Sequence, residues 1–193
     1  MKEKEEYYFK NTQEWRSWLE TNHTRTQGIY LIFYKINHDN ESMRWEEAVR
    51  VALCFGWIDS TVKSLGDGKR RQYFCLRKPK SVWSKLNKTH IKELKALGLM
   101  HSSGLKAIEV AKKNGSWAAL DAVEKGVIPE DLKKCFDQNI DALKNFKNFT
   151  PGQRKSYLYW LNQAKREVTR NKRINEIVRL CGLNIKSRTP NSR

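Results

Sequence analysis

The hydrophobic period of this chain changes once, near Ser81, and that change fixes what it can become. Before it, strand-length apolar runs alternate with helix-length amphipathic stretches. After it, the apolar residues recur only at helical spacing. Tyr7 to Lys10 reads as a first strand. Asn11 or Thr12 caps a helix to Glu20, with Trp15, Trp18 and Leu19 on one face. Gly28 opens a second strand, Ile29 to Ile36, rich in Ile, Tyr and Phe. His38 to Glu41 reads as a loop. Ser42 is expected to cap a second helix that buries Trp45, Ala48, Val51, Ala52 and Phe55 and stops at Gly56. Trp57 to Leu65 and Arg70 to Arg77 then pair as a hairpin around Gly66-Asp67-Gly68, and Pro79 ends it.

Beyond Ser81 the pattern predicts helices over Ser84 to Leu97, Ser103 to Lys113 and Ser116 to Glu124. A short helix follows Pro129 and carries Leu132, Cys135 and Phe136. Another covers Asn139 to Phe146. Thr150, Pro151 and Gln153 form a capping box with Pro at the first helical position. That helix places Tyr157, Trp160, Leu161 and Ala164 on one stripe. A last helix from Thr169 turns Ile174, Ile177, Val178 and Cys181 inward and stops at Gly182; residues 184–193 read as a frayed basic tail. The expected class is α+β: a small mixed or antiparallel sheet with packed helices over residues 1–125, then a helical region over 126–193.

Seven Trp, seven Tyr and seven Phe supply enough apolar area for a core although charged residues reach 31%. The charged N-terminus lacks the apolar stretch of a secretory signal, and no run approaches the length of a membrane span, so the expected location is the cytoplasm. Cys54, Cys75, Cys135 and Cys181 are widely spaced and read as reduced thiols. They and His23, His38, His90 and His101 form no metal-binding spacing. No cofactor motif is present, and the chain is expected to lack a cofactor and a metal. The net charge of +17 is concentrated. Residues 60–95 and residues 154–193 each carry eleven Lys and Arg against two acids. Such clusters attract polyanions, either nucleic acid or an acidic protein.

The run Ala48-Val49-Arg50-Val51-Ala52-Leu53-Cys54-Phe55-Gly56-Trp57-Ile58-Asp59-Ser60 resembles the YdeI/OmpD-associated family, also described as bacteriocin-protection or OmdA-like proteins. The resemblance continues through Lys78 to Asn87, Gly98-Leu99-Met100 and Gly104-Leu105. It includes Glu14 to Glu20, Tyr157 to Trp160 and Arg170 to Ile174. Cys75 and Leu76 stand where members tend to have a small polar residue and Pro, and the Pro often found near Glu167 is missing. The resemblance implies an α+β domain followed by an OmdA-like helical region. It also implies a part in resistance to bacteriocins or antimicrobial peptides, with no chemistry attached. The name points to the bacterial envelope, whereas the N-terminal residues predict the cytoplasm.

Two candidate sites emerge. In the first, Trp57, Asp59, Lys63, Arg77, Trp83, Ser84 and Asn87 converge as a carboxylate and cations in an aromatic-walled pocket for a small anionic or zwitterionic ligand. The structural alternative makes Asp59 a partner of Arg77 or a turn cap, Trp57 and Trp83 core, and Ser84 with Asn87 a helix cap. In the second, Arg166, Arg170 and Arg173 border the apolar stripe of the last helix and grip phosphates, or else solvate its edge. Cys54 with His90 or His101 is a nucleophile pair on paper, with a buried inert thiol as the alternative. The functional expectation is a non-enzymatic binding or stress-protection protein with an anionic partner. Nonspecific nucleic-acid binding and a small-molecule or enzymatic site at Asp59 and Trp83 are the competing readings.

Overall fold

A computed structural model describes residues 5–188. They fall into two units that part between Ala118 and Ala119.

The first unit carries the sheet. Its strands are β1 (Glu6–Tyr8), β2 (Gly28–Tyr34), β3 (Trp57–Gly66) and β4 (Lys69–Leu76), ordered β1-β2-β4-β3. β1 runs parallel to β2, and the other pairs are antiparallel, so the sheet is mixed and the α+β expectation holds. β2 ends at Tyr34 rather than Ile36, because the β4 register closes at Tyr34 opposite Lys69. Ile36 then lies 76% exposed.

The pleat sorts side chains into two faces. Ile29, Leu31 and Phe33 of β2 and Phe74 of β4 face helices α1 (Thr12–Asn22) and α2 (Trp45–Cys54). Trp15 and Leu19 of α1 and Ala48, Val49, Ala52 and Leu53 of α2 complete that core. Each fully buried ring or branched aliphatic here contributes on the order of 1.5–3 kcal/mol. The alternate residues Tyr30, Ile32 and Tyr34 point to the other face. Arg71 and Tyr73 of β4 and Lys63 of β3 share it by register.

The start of α2 departs from expectation. The Arg44 N–H donates to the Glu47 carboxylate (2.6 Å), which makes Arg44 the cap. Ser42 lies too far upstream of Trp45 to reach the first turn, and its hydroxyl donates to the Met43 carbonyl instead (3.2 Å). Trp45 is 36% exposed at the rim rather than in the core. Helices α3 (Lys85–Ala96) and α4 (Ser102–Lys113) finish the unit. His101 caps α4 through Nδ1, which accepts the Ser103 N–H (3.3 Å).

In the second unit only Asp121–Glu124 of the predicted Ser116 to Glu124 helix is helical, as α5. Gly115, at φ +79°, turns the chain first. There follow α6 (Glu130–Asp137), α7 (Ile140–Asn148), α8 (Pro151–Asn162) and α9 (Glu167–Gly182). The capping box stands as read: the Thr150 hydroxyl accepts from Gln153 N–H (3.3 Å), and the Gln153 side chain accepts from Thr150 N–H (2.9 Å). The buried stripe of α8 is Tyr157, Leu158 and Leu161, and Trp160 stays half-exposed. Ile174, Ile177, Leu180 and Cys181 turn inward on α9. The expected fray at residue 184 is corrected. Asn184 ends α9 in the left-handed region (φ 53°), and the Tyr157 hydroxyl donates to the Ile185 carbonyl (2.7 Å). Residues 189–193 of that predicted tail lie outside the described residues.

Arg170 forks onto Asp131, joining α9 to α6; its Nη2 donates to Oδ1 at 2.9 Å. The guanidinium holds the Asp131 carboxyl below its ordinary range. An unfolded aspartate titrates at about pH 3.9. The pair's contribution is therefore fully present above about pH 4 and is lost as pH falls through the lower folded value. Both groups are partly exposed, so its size is at most about 1 kcal/mol. Thermal melts of the native chain and Asp131→Asn should differ by a few degrees at pH 7 and converge below about pH 4.

Candidate anion-binding site

Asp59 lies on the helix-covered face of β3, in register with Phe74. Its Oδ2 accepts two hydrogen bonds, from Trp45 Nε1 (2.9 Å) and Gln72 Nε2 (2.6 Å). Gln72 is buried. The carboxylate thus fastens the exposed start of α2 to the sheet. Arg77 lies near enough for the Asp59 charge to act on it but turns elsewhere. Its Nη2 donates to the Val82 carbonyl (2.6 Å), and its guanidinium stacks 3.7 Å from the Trp83 ring centroid. Burial pushes its pKa down to about 10, against the opposing pull of Asp59 and Cys75. Its Nε and Nη1 are buried without a hydrogen-bond partner among the described residues.

The other members of that predicted pocket are placed apart or used up. Trp57 is fully buried, and its Nε1 donates to the His23 carbonyl (3.1 Å). The Ser84 hydroxyl accepts the Asn87 N–H (3.2 Å) and caps α3. Lys63 pairs with Arg71 on the opposite face of the sheet from Asp59. Asp59, Arg77 and Trp83 are the three that the fold leaves near one another.

Of the three α9 arginines, Arg170 is committed to Asp131. Arg173 donates to the Trp160 carbonyl and lies over the Trp160 ring, 5.0 Å from its centroid. Arg166 is the exposed N-cap residue of α9. Two further cations of residues 154–193 are paired within the unit: Lys155 with Glu124 (2.6 Å) and Arg179 with Glu176 (2.8 Å).

Cys54 is buried, and its thiol donates to the Arg50 carbonyl (3.4 Å). Burial pushes its pKa up, against the nearby Arg16 and Arg50. His90 Nδ1 lies 2.9 Å from Arg50 Nη1, and His101 is occupied in capping α4. Among the described residues no hydrogen bond joins Cys54 to either ring. A thiol in that state is a poor nucleophile.

A further cationic surface lies at the turn end of the β3–β4 hairpin, where the Arg70 guanidinium lies 5.4 Å from the Phe33 ring centroid. A cleft of about 800 Å³ is lined there by Tyr34, Lys35, Arg44, Lys69 and Arg70, with Asp67 as its single acid. Arg44, Lys35, Lys69 and Arg70 come to the cleft from different elements: the α2 N-cap, the end of β2 and the start of β4. Gly68, at φ +70°, lets the hairpin turn close against Lys35, whose N–H donates to the Gly68 carbonyl (2.9 Å). The sequence signal was the excess charge of residues 60–95. Arg44 and Lys35 lie outside that window, and only the fold adds them.

Residues 7–107, just over half of the chain, match the family model described as a domain of unknown function (DUF8412). Residues 125–183 match the model described as Bacteriocin-protection, YdeI or OmpD-Associated (OmdA). The chain belongs to the DUF8412 family and carries an OmdA domain. The Ala48 to Ser60 run falls within the DUF8412 match, and Tyr157 to Trp160 within OmdA. The cationic cleft is therefore built wholly from DUF8412 residues, while OmdA supplies α6 to α9. No curated protein and no solved structure shows a significant match to the chain. Among the described residues no helix is long and apolar enough to cross a membrane, and no group of His, Cys, Asp and Glu could hold a metal ion.

Proposed function

We propose that this DUF8412–OmdA chain is a non-enzymatic binding protein that engages a polyanion through the cleft at the hairpin end, in a stress or bacteriocin-protection role. The observation that carries the reading is the convergence of Arg44, Lys35, Lys69 and Arg70 on one cleft with a single acid. Like charges gathered on an open surface repel one another. A ligand bearing several anionic groups relieves that repulsion and releases its own counterions on binding. The planar forks of Arg44 and Arg70 suit phosphate or carboxylate oxygens. The small-molecule reading at Asp59 draws less support, because that carboxylate is already bonded by Trp45 and Gln72.

Charge reversal tests the assignment. Arg44→Glu with Arg70→Glu should halve the salt dependence of polyanion binding, since two of about four phosphate contacts go. Arg166→Glu, on α9, should leave it unchanged. An unaltered slope in the cleft variant, with the fold intact by circular dichroism, would exclude the cleft.

A further inference from the structure

The sheet face turned away from α1 and α2 has a composition unusual for a solvent-facing surface. Tyr8 of β1, Tyr30 and Tyr34 of β2 and Tyr73 of β4 alternate onto it. All four are half-buried rather than core, and only Ile32 between them is buried. The Tyr8 and Tyr34 rings lie 5.2 Å apart edge to face, and Tyr30 and Tyr73 lie 5.2 Å apart. The Arg71 guanidinium lies 4.5 Å over Tyr30, exposed Lys63 is in register with Arg71, and Lys69 is in register with Tyr34. Of the acids beside these rings, Glu6 is held by Arg71, and Glu41 and Glu14 lie near Tyr8, whose hydroxyl donates to the Glu41 carbonyl.

We propose that this face is a base-stacking platform and that the polyanion is a single-stranded nucleic acid. The inference rests on the polyanion reading and narrows it. Tyrosine rings accept the flat face of any unpaired base, and such stacking tolerates any sequence. A duplex hides those faces, and a sulfated sugar polymer or acidic protein has none. Tyr34 and Lys69 also line the cationic cleft, so the platform meets the cleft at the end of the sheet, where Arg70 enters from the helix-covered face over Phe33. A strand running from the cleft past Lys69 onto this face would present its bases to the rings. Tolerance of any base and dependence on salt are the properties expected of such a surface.

The test compares three ligands on the full chain: an oligothymidine of about 12 nucleotides, a duplex of the same length, and heparin. The single strand should bind about tenfold or more tighter than the duplex. Tyr30→Ala and Tyr73→Ala, which lie outside the lining of the cleft, should each weaken single-strand binding about tenfold while leaving heparin unchanged, and the Phe variants should restore it. Because the Ala variants could disturb the sheet, the native chain is also photo-cross-linked to an oligonucleotide carrying 5-iodouracil. Adducts on Tyr30, Tyr34 or Tyr73 support the platform. Equal binding of strand and duplex, or adducts only on other residues, would overturn it and leave the polyanion reading standing. Binding to none of the three ligands would end both.

Discussion

Gly104→Ala should lower the melting temperature of the chain by about 10 °C or more, a loss of about 3 kcal/mol. A Cβ built on Gly104 would stand 2.1 Å from the Cys54 carbonyl oxygen, 2.7 Å from its carbon and 2.9 Å from the Leu53 oxygen. All three are backbone atoms at the end of α2, so no side-chain rotation can relieve the clash. The chain cannot move aside cheaply either. The Cys54 carbonyl accepts the His101 N–H (3.1 Å), and the Ser103 hydroxyl donates to the Phe55 carbonyl (3.0 Å). Gly104 is what lets α4 reach the end of α2. Gly152→Ala is the matching control, since nothing lies within 4 Å of its added Cβ. It should be neutral or stabilising by about 0.5 kcal/mol. Differential scanning calorimetry of the two variants checks both statements.

Trp57→Ala should cost about 4 kcal/mol, read as a shift in the urea midpoint. The ring has no exposed surface and meets Trp15 and Trp18 edge to face, at 6.2 and 6.0 Å between centroids. Truncation leaves a cavity among rings too rigid to fill it, and strands the His23 carbonyl that Nε1 satisfies. Trp57→Phe keeps most of the ring and should cost about 1–2 kcal/mol. The same variants separate the two readings of Trp57. A pocket wall would lose ligand binding with modest loss of stability, whereas a core residue loses stability with no ligand present.

The sequence carried the architecture because the local signals agreed with the tertiary ones. Trp15 and Leu19 share a helical face and are both fully buried. Gly66, Asp67 and Gly68 all take positive φ where the hairpin turns. Errors arose where one strong residue had two uses. Ser42 is a good capping residue, yet Arg44 starts α2 because Glu47 stands three positions on and reaches back to its N–H. Trp45 fits the helical stripe of α2, yet its indole serves Asp59 at the rim.

The candidate sites were less legible, for a physical reason. Counting cations by window cannot tell which of them find internal partners. The two segments carry equal charge, but Arg170 and Arg173 are spent on Asp131 and Trp160, and Arg71 and Arg77 on Glu6 and Val82. Nor could the Asp59 cluster be sorted without the register that sends Lys63 to the opposite face. The tyrosine platform did leave a signal, the period-two alternation of Tyr30, Ile32 and Tyr34. It was masked because Ile29, Leu31 and Phe33 between them make the whole run read as apolar.

The most direct test of the cationic cleft is the binding of a fluorescent oligonucleotide to the unmodified chain at about 50 and about 200 mM salt. Four phosphate contacts, one for each cation of the cleft, should weaken binding about a hundredfold across that range. Binding that is absent at the lower salt, or that does not change between the two, would contradict the account.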